Sequence, residues 1–398
     1  NLYTCSQDTI AHIIEQIKAL ALNRVVVASC TPITHEPLFQ DALRHAGLNP
    51  YLFEMANIRN HCSWVHGSDW EGATAKAKQL VRMAVARAAR LEPLRTAEVP
   101  VNKAALIIGG GVAGMTAALT LAGQGYPVHL VERESELGGN LRHLRYFAPA
   151  DGTTRRGAER SPQAFLEETV AQVMAHPLIT LHLNTTVVDT TGFKGDFDST
   201  LQRNGEVFHV RHGATIVATG GVEYRGEEYG YGRDPRIMTQ LEFEQLLADA
   251  EVATLLRSVV MIQCIGPAER YCSRLCCTTA LKYALKLKEV NPGAEITILY
   301  RDIRTYGFKE RLYTEARRTG VRFIQYEFDR KPEVAAEDGG PLRVTVWEPV
   351  LGRDLMLTPD RLVLSTPVVP PEGARELASQ LKLAVDMDGF FLEAHVKL

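Results

Sequence analysis

The sequence has 398 residues, of which 45% are hydrophobic and 23% charged, and its formal net charge is −3. This length allows about two or three domains with substantial cores. Because charges of both signs are mixed, the composition gives no support to a nucleic-acid-binding role. No apolar run reaches the roughly 18 residues of a membrane span and no signal segment opens the chain, so we expect a cytoplasmic protein.

Residues 1–92 alternate helical and strand patterns and predict a small amino-terminal α/β domain. Buried strands are predicted at 24–29 and 50–55, and a long helix rich in Ala, Lys and Arg from about residue 70 to 91. Residues 93–102 contain prolines and are typical of a linker. Since the chain starts with Asn1 rather than Met and stops without a closing element, we expect that both ends are truncated.

The remainder predicts an α/β fold of two successive nucleotide-binding, Rossmann-type units. The first unit is expected at 103–257 and the second at 258–370, and residues 371–398 are expected to return to the first. The segment 141–160 is polar and arginine-rich, which indicates a surface loop. A helix follows it, with Ser161 as the candidate N-cap.

Gly109, Gly111 and Gly114 form a G-x-G-x-x-G motif between a predicted strand and a predicted helix. In such motifs the first glycine allows the tight turn, the second lets backbone approach a pyrophosphate, and the third lets helix and strand pack closely. The helix N-terminus favours phosphate binding. Glu132 closes the next strand, where a carboxylate accepts hydrogen bonds from ribose hydroxyls, so the pattern predicts a dinucleotide site.

Two further features favour FAD over the alternative, an NAD-binding dehydrogenase. Gly138 and Gly139 follow Glu132 where flavoproteins with two dinucleotide domains bring backbone against the cofactor, and the segment 214–221, "ATIVATGG", resembles their strand-end signature. The predicted FAD contacts are Gly109, Gly111, Val112, Ala113, Gly114, Glu132, Arg133, Gly139, Asn140, Leu141, Val188, Ala218, Thr219 and Gly220.

The second unit has cysteines where a phosphate loop would hold glycines. Its loop has one glycine, Gly266, and carries Arg270 and Tyr271 where backbone would meet a pyrophosphate, so we expect that the NAD(P)H site is lost. The loop's cysteines follow the spacing C-x7-C-x3-C-C, and they are Cys264, Cys272, Cys276 and Cys277. Four thiolates are the number that holds a [4Fe-4S] cluster.

Zinc and a redox-active dithiol are the alternatives to a cluster at this loop. Four cysteines also close a structural zinc site, although the C-x-x-C pairs usual for zinc are absent. A dithiol at Cys276 and Cys277 would form a strained vicinal disulfide. By spacing alone the order of preference is cluster, then zinc, then dithiol. Taken singly, Cys5, Cys30 and Cys62 are best interpreted as small buried hydrophobic residues.

Three long segments resemble the A-type subunit of heterodisulfide reductase and its bacterial relatives. They are "VVVASCTPITHEPLFQDALRHAGLNPYLFEMANIRNHCSWVHG", "CSRLCCTTALKYALKLKEVNPGAEITILYRDIRTYGFKERLY" and "DGFFLEAHVKL". The similarity extends over nearly the whole chain, in the short bacterial form without an inserted ferredoxin-like domain. The resemblance implies a thioredoxin-reductase-like core with FAD and [4Fe-4S] clusters.

The resemblance also implies roles for individual residues. The C-x(n)-C-x3-C-C element of the family ligates a [4Fe-4S] cluster, which corresponds to the four cysteines of the second unit. Cys5, Cys30 and Cys62 match three cysteines of an amino-terminal cluster, whose fourth would lie in an upstream C-x-C-G segment that this sequence lacks. Lys309 is implied to lie near the flavin and tune its potential, whereas sequence alone favours a solvated lysine. His395 is best interpreted as a core histidine.

These features predict an oxidoreductase that transfers electrons between FAD and an iron–sulfur cluster. The resemblance implies that it is a subunit of a heterodisulfide-reductase-like complex and that it performs flavin-based electron bifurcation or confurcation. The expected partners are B/C-type subunits, ferredoxin, and a hydrogenase, formate dehydrogenase or NADH-oxidising module in a multi-subunit, and possibly dimeric, complex. One alternative is an NAD(P)H-dependent flavin disulfide reductase that uses Cys276 and Cys277. A scaffold that binds neither flavin nor iron is the non-enzymatic alternative.

Overall fold

The computed structural model describes residues 3–95, 98–148, 161–336 and 340–393. The chain divides into two compact units, Asn1–Val99 and Pro100–Leu398. The first unit contains, in order, α1 (Gln7–Ala19), β1 (Val25–Ser29), α2 (Pro32–His45), β2 (Phe53–Asn57) and α3 (Trp70–Ala88). Strands β1 and β2 pair in parallel, and Phe39, Leu43 and Phe53 form the centre of the core. The predicted strands are confirmed, whereas a π-helical turn at Arg59–Ser63 was not predicted.

The second unit begins with a four-stranded parallel sheet in the order β5-β4-β3-β9. Helices pack on one face and a three-stranded antiparallel sheet, β6-β7-β8, lies against the other. The elements in chain order are β3 (Ala105–Ile108), α4 (Val112–Gly123), β4 (Val128–Val131), α5 (Pro162–Ala175), β5 (Ile179–His182), β6 (Thr185–Phe193), β7 (Asp196–Arg203), β8 (Glu206–His212), β9 (Ala214–Val217) and β10 (Val222–Glu223).

A five-stranded parallel sheet in the order β11-β18-β12-β13-β14 follows. The elements of this part of the chain are, in order, β11 (Ile237–Thr239), α6 (Gln240–Ala248), α7 (Ala250–Leu255), β12 (Ser258–Gln263), α8 (Cys276–Val290), β13 (Glu295–Tyr300), α9 (Glu310–Arg318), β14 (Arg322–Gln325), β15 (Glu333–Ala336), β16 (Leu342–Glu348), β17 (Arg353–Leu357), β18 (Arg361–Ser365), β19 (Val368–Val369) and α10 (Ala374–Gln380). Strands β15, β16 and β17 form a separate antiparallel sheet.

Each of the two parallel sheets of the second unit has a buried core on both faces, which explains why its strands are continuous apolar runs. The second sheet already begins at β11, ahead of the predicted boundary at residue 257, because β11 pairs with β18. Ser161 caps α5 as predicted, its Oγ accepting a hydrogen bond from the amide of Ala164 over 3.1 Å. Within the loop 141–160, Leu141 is buried, and residues 149–160 lie outside the described ranges.

Candidate functional site

The glycine loop joins β3 to α4, so the predicted arrangement of strand, turn and helix is confirmed. Gly109 has φ +111°, and a Cβ there would overlap the carbonyl oxygen of Ala218. At Gly114 a Cβ would overlap the carbonyl oxygen of Gly109, whereas at Gly111 it would meet no atom within 4 Å. The loop therefore needs glycine for its own folding at Gly109 and Gly114. It is open at Gly111, the position where such motifs let a pyrophosphate approach backbone.

Glu132 follows β4 and is held by backbone amides. Its Oε2 accepts a hydrogen bond from the amide of Gly110 over 2.7 Å, and its Oε1 accepts one from the amide of Glu134 over 2.9 Å. Each carboxylate oxygen has a second lone pair available for a ribose hydroxyl. The carboxylate thus also fixes the glycine loop from the side.

A cavity of about 280 Å³ opens beside this loop. Four of the predicted contacts line it, namely Gly109, Glu132, Arg133 and Thr219. Its other walls come from the start of β6 and from the segment that begins α10: Thr185, Thr186, Val187, Pro371, Glu372, Gly373, Ala374, Glu376, Leu377 and Gln380, with Ile108 and Val131 at the sheet. Val188 is exposed, and its neighbour Val187 lines the cavity instead. The residues present fit the adenosine end of a dinucleotide.

The other two predicted flavin segments meet this loop through backbone contacts. The amide of Gly138 donates to the carbonyl of Gly110 over 2.8 Å, and the amide of Ala218 donates to that of Ile108 over 2.8 Å. The Nδ2 of Asn140 donates to the carbonyl oxygen of Gly221 over 2.7 Å. The three segments are therefore adjacent in space, although they are far apart in sequence. Val112 and Ala113 begin α4, and Gly220 lies in the third segment.

The four cysteines of the second unit line one cavity of about 200 Å³. Cys264 is the first residue after β12, and Cys276 and Cys277 are the first two residues of α8. Cys272 is exposed, and its Sγ accepts a hydrogen bond from the amide of Arg274 over 3.3 Å. The predicted placement of two thiols at a helix N-terminus is confirmed, and the fold brings all four thiols to one cavity.

Three thiols of this cavity, those of Cys264, Cys276 and Cys277, are hard to ionise by themselves. Burial raises the pKa of the Cys264 thiol to about 11 and that of Cys276 to about 12, and it also raises the pKa of Cys277. Thiolates need a nearby cation here because the surroundings are poorly hydrated. Four arginines also line the cavity: Arg270, Arg274, Arg301 and Arg304. Among the described residues, no three His, Cys, Asp or Glu lie close enough together to hold a single metal ion.

The loop around Gly266 differs from the open glycine loop. A Cβ at Gly266 would overlap the ring of Tyr224, whereas the corresponding direction at Gly111 is free. The Tyr271 hydroxyl donates to the carbonyl of Val368 over 2.8 Å, and Arg270 forms an ion pair with Asp388 at 2.9 Å. The backbone here is covered by side chains, which hinders the close approach that a pyrophosphate requires.

The three cysteines of the first unit line a second thiol cavity, of about 650 Å³. Cys5 is exposed, Cys30 half-buried and Cys62 buried, so the interpretation as small buried hydrophobic residues fits Cys62 alone. The Sγ of Cys62 donates to the carbonyl of Ala73 over 2.7 Å, and the Sγ of Cys30 lies 3.4 Å from Nδ1 of His35. Residues from three separate segments thus meet at one cavity.

Lys309 is exposed and lies immediately before α9, so it matches the sequence-only interpretation of a solvated lysine at a helix start. It does not line the cavity beside Gly109 or the cavity of the four cysteines. His395 lies outside the described residues.

A buried ion pair was missed by the sequence reasoning. Glu244 in α6 is fully buried, and its Oε2 accepts hydrogen bonds from Lys282 Nζ over 2.9 Å and from the Tyr283 hydroxyl over 2.6 Å. Its Oε1 accepts from the amide of Arg145 over 2.7 Å. Burial lowers the pKa of Lys282, which Glu244 opposes. Nothing in the sequence marks this pair, because its members lie on two different helices.

Two parallel-sheet nucleotide folds, one with an open glycine loop and one with a thiol-lined loop, define the class of oxidoreductases with two dinucleotide-type domains. Thioredoxin reductase from Lactococcus lactis has this fold: it matches 74% of this chain and 86% of its own, with a TM-score of 0.50 and 18% identity. The family of NAD(P)-binding Rossmann-like domains matches residues 107–176.

Curated relatives identify the family more closely. The A-type subunit of the H(2):CoB-CoM heterodisulfide,ferredoxin reductase of Methanothermobacter marburgensis is 32% identical over 492 positions, which cover 100% of this chain and 73% of the relative. The A-type iron-sulfur subunit of the CoB–CoM heterodisulfide reductase of Methanocaldococcus jannaschii is 33% identical, over 96% of this chain and 72% of the relative. The chain therefore belongs to the family of A-type heterodisulfide reductase subunits, which are oxidoreductase components.

The alignment with the Methanothermobacter marburgensis protein is longer than this chain, so that relative holds segments that this chain lacks. This agrees with the short form expected from the sequence. In the described ranges, no helix combines the length and the apolar character needed to cross a membrane.

Proposed function

We propose that this protein is an FAD- and [4Fe-4S]-containing electron-transfer subunit of a heterodisulfide-reductase-like complex. The observation that carries the proposal is the convergence of Cys264, Cys272, Cys276 and Cys277 on one cavity, at the place where the second nucleotide fold would hold a phosphate loop. Loss of that loop removes hydride delivery, and four thiols offer single-electron delivery instead.

The glycine loop between β3 and α4 supports FAD as the partner of the cluster. The backbone from Gly109 to Gly114 and the N-terminus of α4 would hold the pyrophosphate, and Glu132 would accept hydrogen bonds from the ribose hydroxyls. The cavity beside them supports an adenosine at this place. When bound, FAD exchanges either one or two electrons, which links two-electron chemistry to iron–sulfur clusters.

The properties of the second unit's thiols support a cluster over a dithiol. Reactive cysteines have lowered pKa values, whereas burial raises the pKa of Cys264, Cys276 and Cys277. Iron supplies the positive charge that makes four thiolates in one cavity favourable. The arginines around the cavity, and the amide of Arg274 that donates to Cys272 Sγ, would tune the potential.

An amino-terminal [4Fe-4S] cluster is the second part of this proposal. Cys5, Cys30 and Cys62 line one cavity and would supply three ligands. The fourth is expected from the upstream C-x-C-G segment of the family. This cluster would be the contact point for further electron carriers.

The names of the relatives suggest the partners. One relative is named for hydrogen, the heterodisulfide of CoB and CoM, and ferredoxin, and others as iron-sulfur subunits. For this chain we propose B/C-type subunits, ferredoxin, and a hydrogenase, formate dehydrogenase or NADH-oxidising module. We also propose that its flavin divides electron pairs between two acceptors or combines them.

Cysteine variants of the anaerobically purified chain test the two cluster sites against each other. We expect that Cys272→Ser removes about four iron atoms per chain. The flavin content and the amino-terminal cluster should remain unchanged. Cys62→Ser is the matched control, because it changes the other thiol cavity and leaves the second unit's EPR signal in place. Unchanged iron in Cys272→Ser would contradict the ligand assignment. Bleaching of the flavin by NAD(P)H, without partner proteins, would favour the disulfide reductase alternative.

A further inference from the structure

A cavity of about 330 Å³ lies where two of the predicted flavin segments meet. Asn140 follows Gly139 of one segment, Val222 follows Gly221 of the other, and both Asn140 and Val222 line the cavity. The hydrogen bond from Asn140 Nδ2 to the carbonyl of Gly221 joins the segments at this wall. The remaining lining residues are His143, Glu223, Arg225, Leu241, Glu242 and Gln245.

Glu223 is the unusual member of this set. Its side chain is only 11% exposed, and its Oε1 accepts a hydrogen bond from the amide of Leu241 over 3.0 Å. Its Oε2 is buried without a hydrogen bond, a state that no other carboxylate oxygen of the described residues shares. The nearest cation is Arg225, whose Nε lies 3.9 Å away and whose guanidinium also faces Glu242 at 3.8 Å. This carboxylate is therefore incompletely compensated.

The surroundings of Glu223 favour its neutral form more than water does. Burial raises the pKa of the carboxyl, and Glu242 adds to this, while the Thr239 hydroxyl, the Leu241 amide and Arg225 oppose it. His143, which also lines the cavity, has its pKa lowered by burial and by neighbouring arginines, so it is neutral near pH 7. New negative charge in the cavity would shift Glu223 further towards protonation.

We propose that Glu223 takes up a proton when the group bound at this cavity is reduced. The inference rests on the proposed function, in which the chain binds FAD, and it places the flavin ring at this cavity because the two predicted flavin segments meet at its wall. Two electrons, supplied by dithionite or a reduced iron–sulfur protein, and one proton convert the flavin to its anionic reduced form. A second proton binds the Glu223 carboxylate and gives the neutral acid, so the summed charge of the two groups does not change.

The pH dependence of the flavin midpoint potential in the flavin-loaded protein tests this inference. Between about pH 6 and about pH 8, we expect two protons per two electrons in the wild type and one in Glu223→Gln, which keeps the shape of the side chain. Glu242→Gln is the matched control, because Glu242 lines the same cavity, and we expect it to keep two. Reduced-minus-oxidised infrared spectra should show a protonated carboxyl band that Glu223→Gln lacks.

The outcomes separate this inference from the proposed function. Equal proton numbers in the wild type and Glu223→Gln, with flavin bound in both, overturn the inference and leave the proposed function standing. Loss of the second proton in Glu242→Gln but not in Glu223→Gln would also overturn it, because the uptake would then belong to Glu242. A wild-type protein that binds no flavin overturns the proposed function and this inference with it.

Discussion

The two nucleotide folds of the second unit begin alike and then diverge. In each, a buried parallel strand ends and the next residue has a positive φ, +111° at Gly109 and +61° at Cys264. After Gly109 the helix starts at once, at Val112. After Cys264 a 3₁₀ turn, Gly266–Glu269, and an irregular stretch come first, and α8 begins only at Cys276.

This difference shows how one position of a fold can present two different sets of chemical groups. At Gly109 a glycine satisfies the turn without strain, and the short loop exposes amides to a phosphate. At Cys264 the chain accepts about 1–2 kcal/mol of backbone strain for a thiol that points from the strand end. The longer loop then provides room for three further thiols. The comparison can be tested by substitutions in each loop and in the packing beneath them.

The largest effect is expected for Gly114→Val in the glycine loop. A Cβ at Gly114 would overlap the carbonyl oxygen of Gly109, and backbone cannot move aside cheaply. We expect a loss of more than about 4 kcal/mol in unfolding free energy, or no folded protein. Denaturant unfolding measures this, with Gly111→Ala as the control, since a Cβ there meets nothing within 4 Å. A stable, flavin-free Gly111→Ala would show that this glycine serves binding alone.

The next largest effect is expected for the buried ion pair between Lys282 of α8 and Glu244 of α6. Lys282→Met leaves the Glu244 carboxylate buried without its cation, and we expect a loss of about 3–5 kcal/mol. Lys286→Met, one turn later on α8, removes an exposed pair with Glu289 and should cost about 0.5 kcal/mol or less. Similar thermal stabilities of the two variants would contradict the importance of the buried pair.

A smaller effect of opposite sign tests the strain at Cys264. In cluster-free protein, Cys264→Gly should leave stability unchanged or raise it by up to about 1 kcal/mol, because glycine adopts a positive φ without strain. Cys272→Gly, at a position without a positive φ, should lower stability by about 0.5–1 kcal/mol. Equal losses of stability in Cys264→Gly and Cys272→Gly would show that the positive φ at Cys264 causes no measurable strain.

The smallest effect is expected for the ion pair that ties the cysteine loop to Asp388. Arg270 is 72% exposed, so solvent screens the pair. We expect that Arg270→Gln lowers the unfolding free energy by about 0.2–1 kcal/mol and that salt diminishes the difference. If Arg270→Gln instead lowered the unfolding free energy by several kcal/mol at every salt concentration, the cysteine loop would depend on this ion pair for its stability, unlike the glycine loop.

Local chemistry made the first fold predictable. The spacing of Gly109, Gly111 and Gly114 between an apolar strand and a helix predicted that arrangement, because backbone sterics within a few residues determine such a turn. Ser161 as an N-cap was predictable for the same reason. Cys276 and Cys277 at the start of α8 were also within reach of sequence patterns.

Tertiary packing decided the rest, since it joins residues that no local rule connects. Strand order brings Cys264 and α8 to one cavity and joins Asn140 to Gly221. It also determines that Glu244 meets Lys282 and that Glu223 Oε2 is left without a hydrogen bond. The sequence by itself determined which chemical groups are available at each strand end. Only the folded chain determined which of them are buried and adjacent, because burial depends on contacts between distant segments.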